Sequence, residues 1–101
     1  MPARKPYQFH PDAWQELEAA DDWYRQRSSD ASVRFLSAVF DALDALVTWP
    51  ESWPEYHHGT RRFILHRFPF SLVYLDGPAA ISIVAVAHNK RKPGYWKDRV
   101  E

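Results

Sequence analysis

Residues 61–88 read RRFILHRFPFSLVYLDGPAAISIVAVAH, and this stretch decides the fold. It divides into three runs of strand character: Arg61 to Arg67, Phe70 to Asp76 and Ala80 to His88. Pro69 stands in the first connection, and Asp76-Gly77-Pro78 marks the second as a turn. Connections this short join neighbouring strands of opposite direction, so the three runs form an antiparallel meander. In the last run both alternating faces are apolar, with Ile81, Ile83 and Ala85 on one and Val84 and Val86 on the other. That pattern predicts an interior strand covered on both sides.

Upstream lies a loop rich in proline and aromatics, from Pro50 to Gly59. Before it, Phe35, Leu36, Val39, Phe40, Leu43, Leu46 and Val47 form the wide apolar face of a helix. The helix must stop by Trp49, because Pro50 disfavours helical geometry in the residue before it. Ser28, Ser29 and Asp30 supply its N-cap. Further back, Ala13, Leu17, Ala20 and Tyr24 recur at i, i+4, i+7 and i+11, the stripe of an earlier helix that Pro11 suits as a first turn. Glu16, Glu18, Asp21 and Asp22 surround that stripe and read as a solvated acidic face. Tyr7 to His10 is a short extended segment. With so little chain between them, the two helices should pack as an antiparallel hairpin. The order strand–helix–helix–strand–strand–strand predicts an α+β fold: an antiparallel sheet with a helical hairpin packed on one face. The other face then needs a cover, or is a working surface.

A chain of 101 residues fits a single domain, 1–101. At 46% hydrophobic and 16% aromatic it is not a disordered chain. It has no cysteine, which excludes disulfides and thiolate metal sites. Met1 to Pro11 contains no apolar run of the kind a secretory leader needs. The most apolar stretch, Ala79 to Ala87, is broken by Ser82 and falls far short of the roughly 20 residues that span a bilayer. The expectation is a cytoplasmic protein with no membrane partner. Formal charge is zero, but residues 1–56 hold five Lys/Arg against ten Asp/Glu, a net of −5, and residues 57–101 hold eight against three, a net of +5. Such a split points the basic half toward an anion, nucleic acid being the usual one. The plainer alternative is two solvated surfaces.

The chemistry-bearing stretch is the tail, His88-Asn89-Lys90-Arg91-Lys92-Pro93-Gly94-Tyr95-Trp96-Lys97-Asp98-Arg99. Lys90, Lys92 and Lys97 are of the type that contacts phosphate, and Trp96 of the type that stacks on unpaired bases. The alternative is that Tyr95 and Trp96 fold back as core while the cations are solvated. Arg61 and Arg62 form a second basic pair; on a strand they point to opposite faces, so one of them joins any given site. If RNA is the substrate, cleavage by its 2′-hydroxyl needs a base, an acid and cations for the developing phosphorane charge. His88 could serve as acid or base, Tyr95 as a proton donor, and Arg62, Arg91 and Lys90 as cations, with no metal and no cofactor. His57-His58 lacks carboxylate or cysteine neighbours at ligand spacing, and His10 and His66 read as structural. No phosphate-loop glycine pattern or nucleophile-elbow serine occurs.

Together these residues resemble the RelE/ParE superfamily of toxins from type II toxin–antitoxin systems, often called plasmid stabilisation proteins. The resemblance runs from Ala13, Leu17 and Trp23-Tyr24 through Arg61–Tyr74 to Ile83–His88 and Lys90–Trp96. It implies a growth-inhibiting toxin neutralised by a cognate antitoxin; the charge split and the sheet face left uncovered by the helices predict that this partner is small and acidic. Members resembling ParE inhibit DNA gyrase and are not nucleases; members resembling RelE cut messenger RNA on the ribosome. The ribosome-dependent members usually carry an arginine just before the Leu-Val-Tyr of the third strand, where this chain has Ser71. Ser71 therefore favours gyrase as target, with ribosome-dependent RNA cleavage as the alternative and a non-toxic antitoxin-binding relic as a third possibility.

Overall fold

A computed structural model describes residues 5–100; residues 1–4 and 101, the extremes of the expected domain and the start of its N-terminal segment, lie outside the described residues. The chain enters through β1 (Tyr7–Phe9) and turns at His10, whose imidazole Nδ1 accepts the Asp12 N–H at 3.0 Å and caps α1 (Pro11–Arg27). Ser28 alone joins the helices. Its N–H donates to the Tyr24 carbonyl and ends α1, while its hydroxyl accepts the Ala31 N–H at 2.9 Å and starts α2 (Ser29–Thr48).

The predicted stripes hold, with corrections at their borders. Ala13, Leu17 and Ala20 are buried on α1, and Phe35, Val39, Leu43, Leu46 and Val47 on α2. Phe40 is 49% exposed, because it lies about 100° further round the axis than Val39 and falls past the edge of the contact. Two of the four acids assigned to a solvated face are not solvated. Asp21 is buried where α1 meets α2, accepting the Ser32 hydroxyl and pairing with Arg25. Glu16 is largely covered, as described below.

The strands β2 (Arg61–Ile64), β3 (Phe70–Asp76) and β4 (Ile81–His88) form the antiparallel meander read from the sequence. β1 adds to it in parallel, Tyr7 opposite Ile81, so the sheet is mixed with order β1-β4-β3-β2. β2 stops at Ile64 rather than Arg67: Leu65 N–H still donates to the Phe70 carbonyl at 2.9 Å, closing the ladder, and the chain then turns, with Arg67 at φ 74°.

A bulge corrects the expected facing of β4. Val73 lies opposite Ala85 but Tyr74 opposite Ile83, so Val84 is an extra residue. One inserted residue reverses the alternation beyond it. Ala85 therefore joins Val84 on the face away from the helices, and Val86 joins Ile83 toward them. On the helix side Leu72, Tyr74, Ile81, Ile83 and Val86 pack against Leu17, Phe35, Val39, Leu43 and Leu46. On the other side Val73, Val84, Ala85 and Ala87 lie beneath Trp96, with Tyr56, Tyr95 and Val100 around it. The second face does have a cover, and it is the C-terminal segment. Trp96 is 1% exposed, and burying a ring of this size contributes on the order of 4–6 kcal/mol of transfer free energy.

Candidate functional site

The C-terminal segment reaches α1 because β1 is short. β1 pairs with β4 only at residues 81–83, and His10 N–H makes the last such bond, to the Ile83 carbonyl at 2.9 Å. Past that point β4 still has backbone groups to satisfy, and side chains do it. Glu16 Oε1 accepts the Val86 N–H at 3.0 Å, and Arg99 Nη1 donates to the Val84 carbonyl at 3.1 Å. The two side chains also grip each other, Nη1 to Oε1 at 2.9 Å and Nη2 to Oε2 at 3.2 Å, the bidentate geometry that gives such pairs their strength. Tyr95 donates its phenol to Glu16 Oε2 at 2.7 Å. Arg91 stands 3.7 Å from the same oxygen and stacks 3.6 Å over the Tyr95 ring, and Asp12 lies 3.8 Å from Arg99 Nε.

Electrostatics follows from this cluster. Burial raises the Tyr95 pKa well above the usual tyrosine value; the hydrogen bond to Glu16 and its charge add to the rise, and Arg91 and Arg99 oppose it. Burial works against the charge of Arg99, but the hydrogen bond and charge of Glu16, helped by Tyr95 and Asp12, outweigh it and raise its pKa. Tyr95 is thus a proton-holding strut at neutral pH.

The residues expected to carry catalysis all border one hollow, His88, Arg91, Tyr95 and Arg62, together with Ser71 and Asn89. It measures about 20 Å³, room for roughly one water molecule. Several of their polar groups are already bonded to neighbouring protein atoms. Arg62, opposite Val73, lies on the tail face, where its Nε donates to Ser71 Oγ at 3.2 Å and its guanidinium sits 4.9 Å over Tyr56. Ser71 is 2% exposed and donates to Asn89 Oδ1 at 2.6 Å. His88, opposite Phe70, packs its ring edge-on against that phenylalanine at 5.2 Å, and its Nδ1 accepts the Lys90 N–H at 3.1 Å. His88 and Arg91 also line a larger, apolar cleft of about 430 Å³ with Trp23, Tyr24 and Phe70.

Among the residues expected to bind a target, Lys90, Lys92 and Lys97 are exposed. Arg61 is turned back into the fold, donating to the Trp53 carbonyl at 2.7 Å with Glu55 3.8 Å away. Trp96 is core, between Tyr56 at 6.0 Å and His58 at 5.8 Å, so it has no free ring face for a base. The sequence reading missed Glu16. A signal was present: Glu16 occupies the i+3 position between Ala13 and Leu17, inside the buried stripe rather than beside it. Among the described residues, no group of three or more histidines, aspartates or glutamates is gathered where it could hold a metal ion, and no helix is long and apolar enough to cross a membrane.

The sequence of residues 7–93 matches the family described as ParE toxin of type II toxin–antitoxin system, parDE. No curated protein matches the chain. Among solved structures, a chain of the chromosomal ParDE TA system from P. aeruginosa superposes with a TM-score of 0.72, covering 84% of this chain and 96% of its own. At 17% identity that likeness is one of fold.

Proposed function

We propose that this chain, which belongs to the ParE toxin family of type II toxin–antitoxin systems, arrests bacterial growth by inhibiting DNA gyrase and is kept inactive by a cognate antitoxin. The observation that carries the choice of target is the hollow bordered by His88, Arg91, Tyr95 and Arg62, which has room for roughly one water molecule. A phosphodiester in attack geometry needs its base, acid and cations within about 3 Å of the reacting atoms. Here the phenol is spent on Glu16, and the place where ribosome-dependent relatives carry an arginine holds a buried serine bonded to Arg62 and Asn89. The exposed cations Lys90, Lys92 and Lys97 supply a surface for a protein or nucleoprotein target.

One observation favours the ribosome reading: His88 and Arg91 share the wide cleft beside Trp23. A single experiment separates the two. The chain is induced without antitoxin, message ends are mapped, and the purified protein is added to a gyrase supercoiling assay. The expected result is growth arrest that co-expressed antitoxin reverses, intact transcripts, DNA breaks and inhibited supercoiling, with His88→Ala nearly as toxic as wild type. Messages cut within translated codons, with the cuts abolished by His88→Ala, would replace gyrase by the ribosome. Soluble, folded protein that never arrests growth would leave the antitoxin-binding relic.

A further inference from the structure

We infer that Glu16 is a positioning residue for toxicity: its carboxylate fixes residues 91–99 on α1 as a rigid arm and so determines how the basic tail is presented to the target. The inference rests on the toxin reading above, but not on which target the toxin has.

Three observations carry it. Glu16 collects hydrogen bonds from the three donors Val86 N–H, Tyr95 and Arg99, which belong to the sheet and to both ends of the tail's final turn. The carboxylate and Arg99 occupy the stretch of β4 that β1 leaves unpaired, so the tail is joined to the sheet where the backbone lacks a partner strand. Finally, the cations divide by partner. Arg99 is largely covered against Glu16, and Arg91, itself exposed, leans over Tyr95 to within 3.7 Å of the same carboxylate, while for Lys90, Lys92 and Lys97 no such acidic partner is seen among the described residues. Without the carboxylate, the guanidiniums of Arg91 and Arg99 would lose their shared counter-charge beside Tyr95, and the Val86 N–H would lose its acceptor. Trp96 would then be the main remaining anchor of the arm.

The test uses the full chain, purified from its antitoxin complex, and the variants Glu16→Gln, Arg99→Gln and Arg99→Lys. Glu16→Gln keeps an oxygen for Val86 but removes the charge that holds two arginines. Hydrogen bonds to charged groups contribute enough that protection of amides 95–100 against hydrogen exchange should fall by about tenfold to a hundredfold. Amides of α2 should be unchanged. Growth arrest should weaken in parallel, requiring about tenfold more toxin, and Arg99→Lys should recover part of both losses where Arg99→Gln does not. An arm that loses protection while arrest stays at the wild-type level overturns the inference and leaves the gyrase reading standing. Arrest without inhibited supercoiling overturns the gyrase reading while the paired loss of protection and arrest still supports the clamp. If Glu16→Gln fails to fold, the two Arg99 variants decide alone, because they leave the carboxylate and its bond to Val86 in place. A wild-type chain that never arrests growth overturns both.

Discussion

The two faces of the sheet are closed by different physics. Toward the helices, Leu72, Tyr74, Ile81 and Ile83 meet a continuous apolar surface supplied by two long helices. Away from them, one tryptophan covers Val73, Val84, Ala85 and Ala87, and the segment carrying it is tied down by a single carboxylate and its cations. Distributed apolar contact is non-directional and survives small losses. A cover that depends on one ring and one ion-pair cluster can be undone at one residue. The contrast predicts a division of labour: the helix face should supply global stability, and the tail face should loosen without unfolding it. The charge split between the two halves of the sequence has the same root, since part of the acid in α1 is the counter-charge of the tail.

The hardest test of this contrast removes a ring from each face. Phe35 is fully buried and packs on Tyr24, Phe68 and Phe70. Phe35→Ala should cost about 3–5 kcal/mol, a large share of the roughly 5–15 kcal/mol that holds a domain of this size. Thermal unfolding should show Tm lowered by more than about 12 °C, with every probe moving together. Trp96→Ala should cost about 3 kcal/mol, the low end of the same range, because residues 95–100 can settle into the space. Hydrogen exchange should then accelerate in the tail and leave the α2 amides at their wild-type rates. Equal acceleration of both would mean that the faces are one cooperative unit and the contrast is wrong.

A smaller effect is expected where the helix side itself contains a polar contact. Ser32 donates to buried Asp21, which is also paired with Arg25. Ser32→Ala deprives a buried carboxylate oxygen of its donor and should cost about 1–3 kcal/mol by denaturant titration. A neutral result would show that Arg25 alone satisfies Asp21.

Much of this arrangement was legible in residue order. Pro11, Ser28 and Pro50 set the helix limits, and Asp76-Gly77-Pro78 set the last turn, because those residues act through local backbone chemistry. The bulge at Val84 was not legible. Over Ile83–Val86 every residue is apolar on both phases, so nothing in side-chain type marks where the phase slips. The tail was ambiguous for a related reason: Trp96 serves as well for a base-stacking ring as for a core plug, and the hydrophobic bed that decides it is made by β3 and β4. Arg61 and Arg62 pointed apart as expected, but whether either was free depended on loop carbonyls and on Ser71, which are set by tertiary structure. Glu16 was misread by residue type, although its spacing placed it within the stripe.

The smallest effect tests the cover on the tail face through pH. The Tyr95 phenol is held protonated by burial and by donating to Glu16, and Tyr74, whose hydroxyl donates to the Pro50 carbonyl at 2.6 Å, is pushed up to about 12 mainly by burial. In the unfolded chain both titrate near about 10. Their folded pKa values are raised, so above that pH the unfolded state loses protons that the folded state keeps. The stability they contribute is therefore complete below about pH 10 and is lost as pH rises through their folded values. Denaturant titrations should give stability insensitive to these two groups through neutral pH and a decline beginning near pH 10. Tyr95→Phe should lower stability at neutral pH by about 0.5–1.5 kcal/mol, since Arg99 remains on the same oxygen, and should make the alkaline decline shallower. Tyr74→Phe should flatten it as well. The two differ in what moves with them: above pH 10, tail amides should lose exchange protection in wild type and change little further in Tyr95→Phe, in which that bond is already absent. An alkaline slope untouched by Tyr95→Phe would mean that the phenol is not sequestered, and the tail cover would then rest on Trp96 and Arg99 alone.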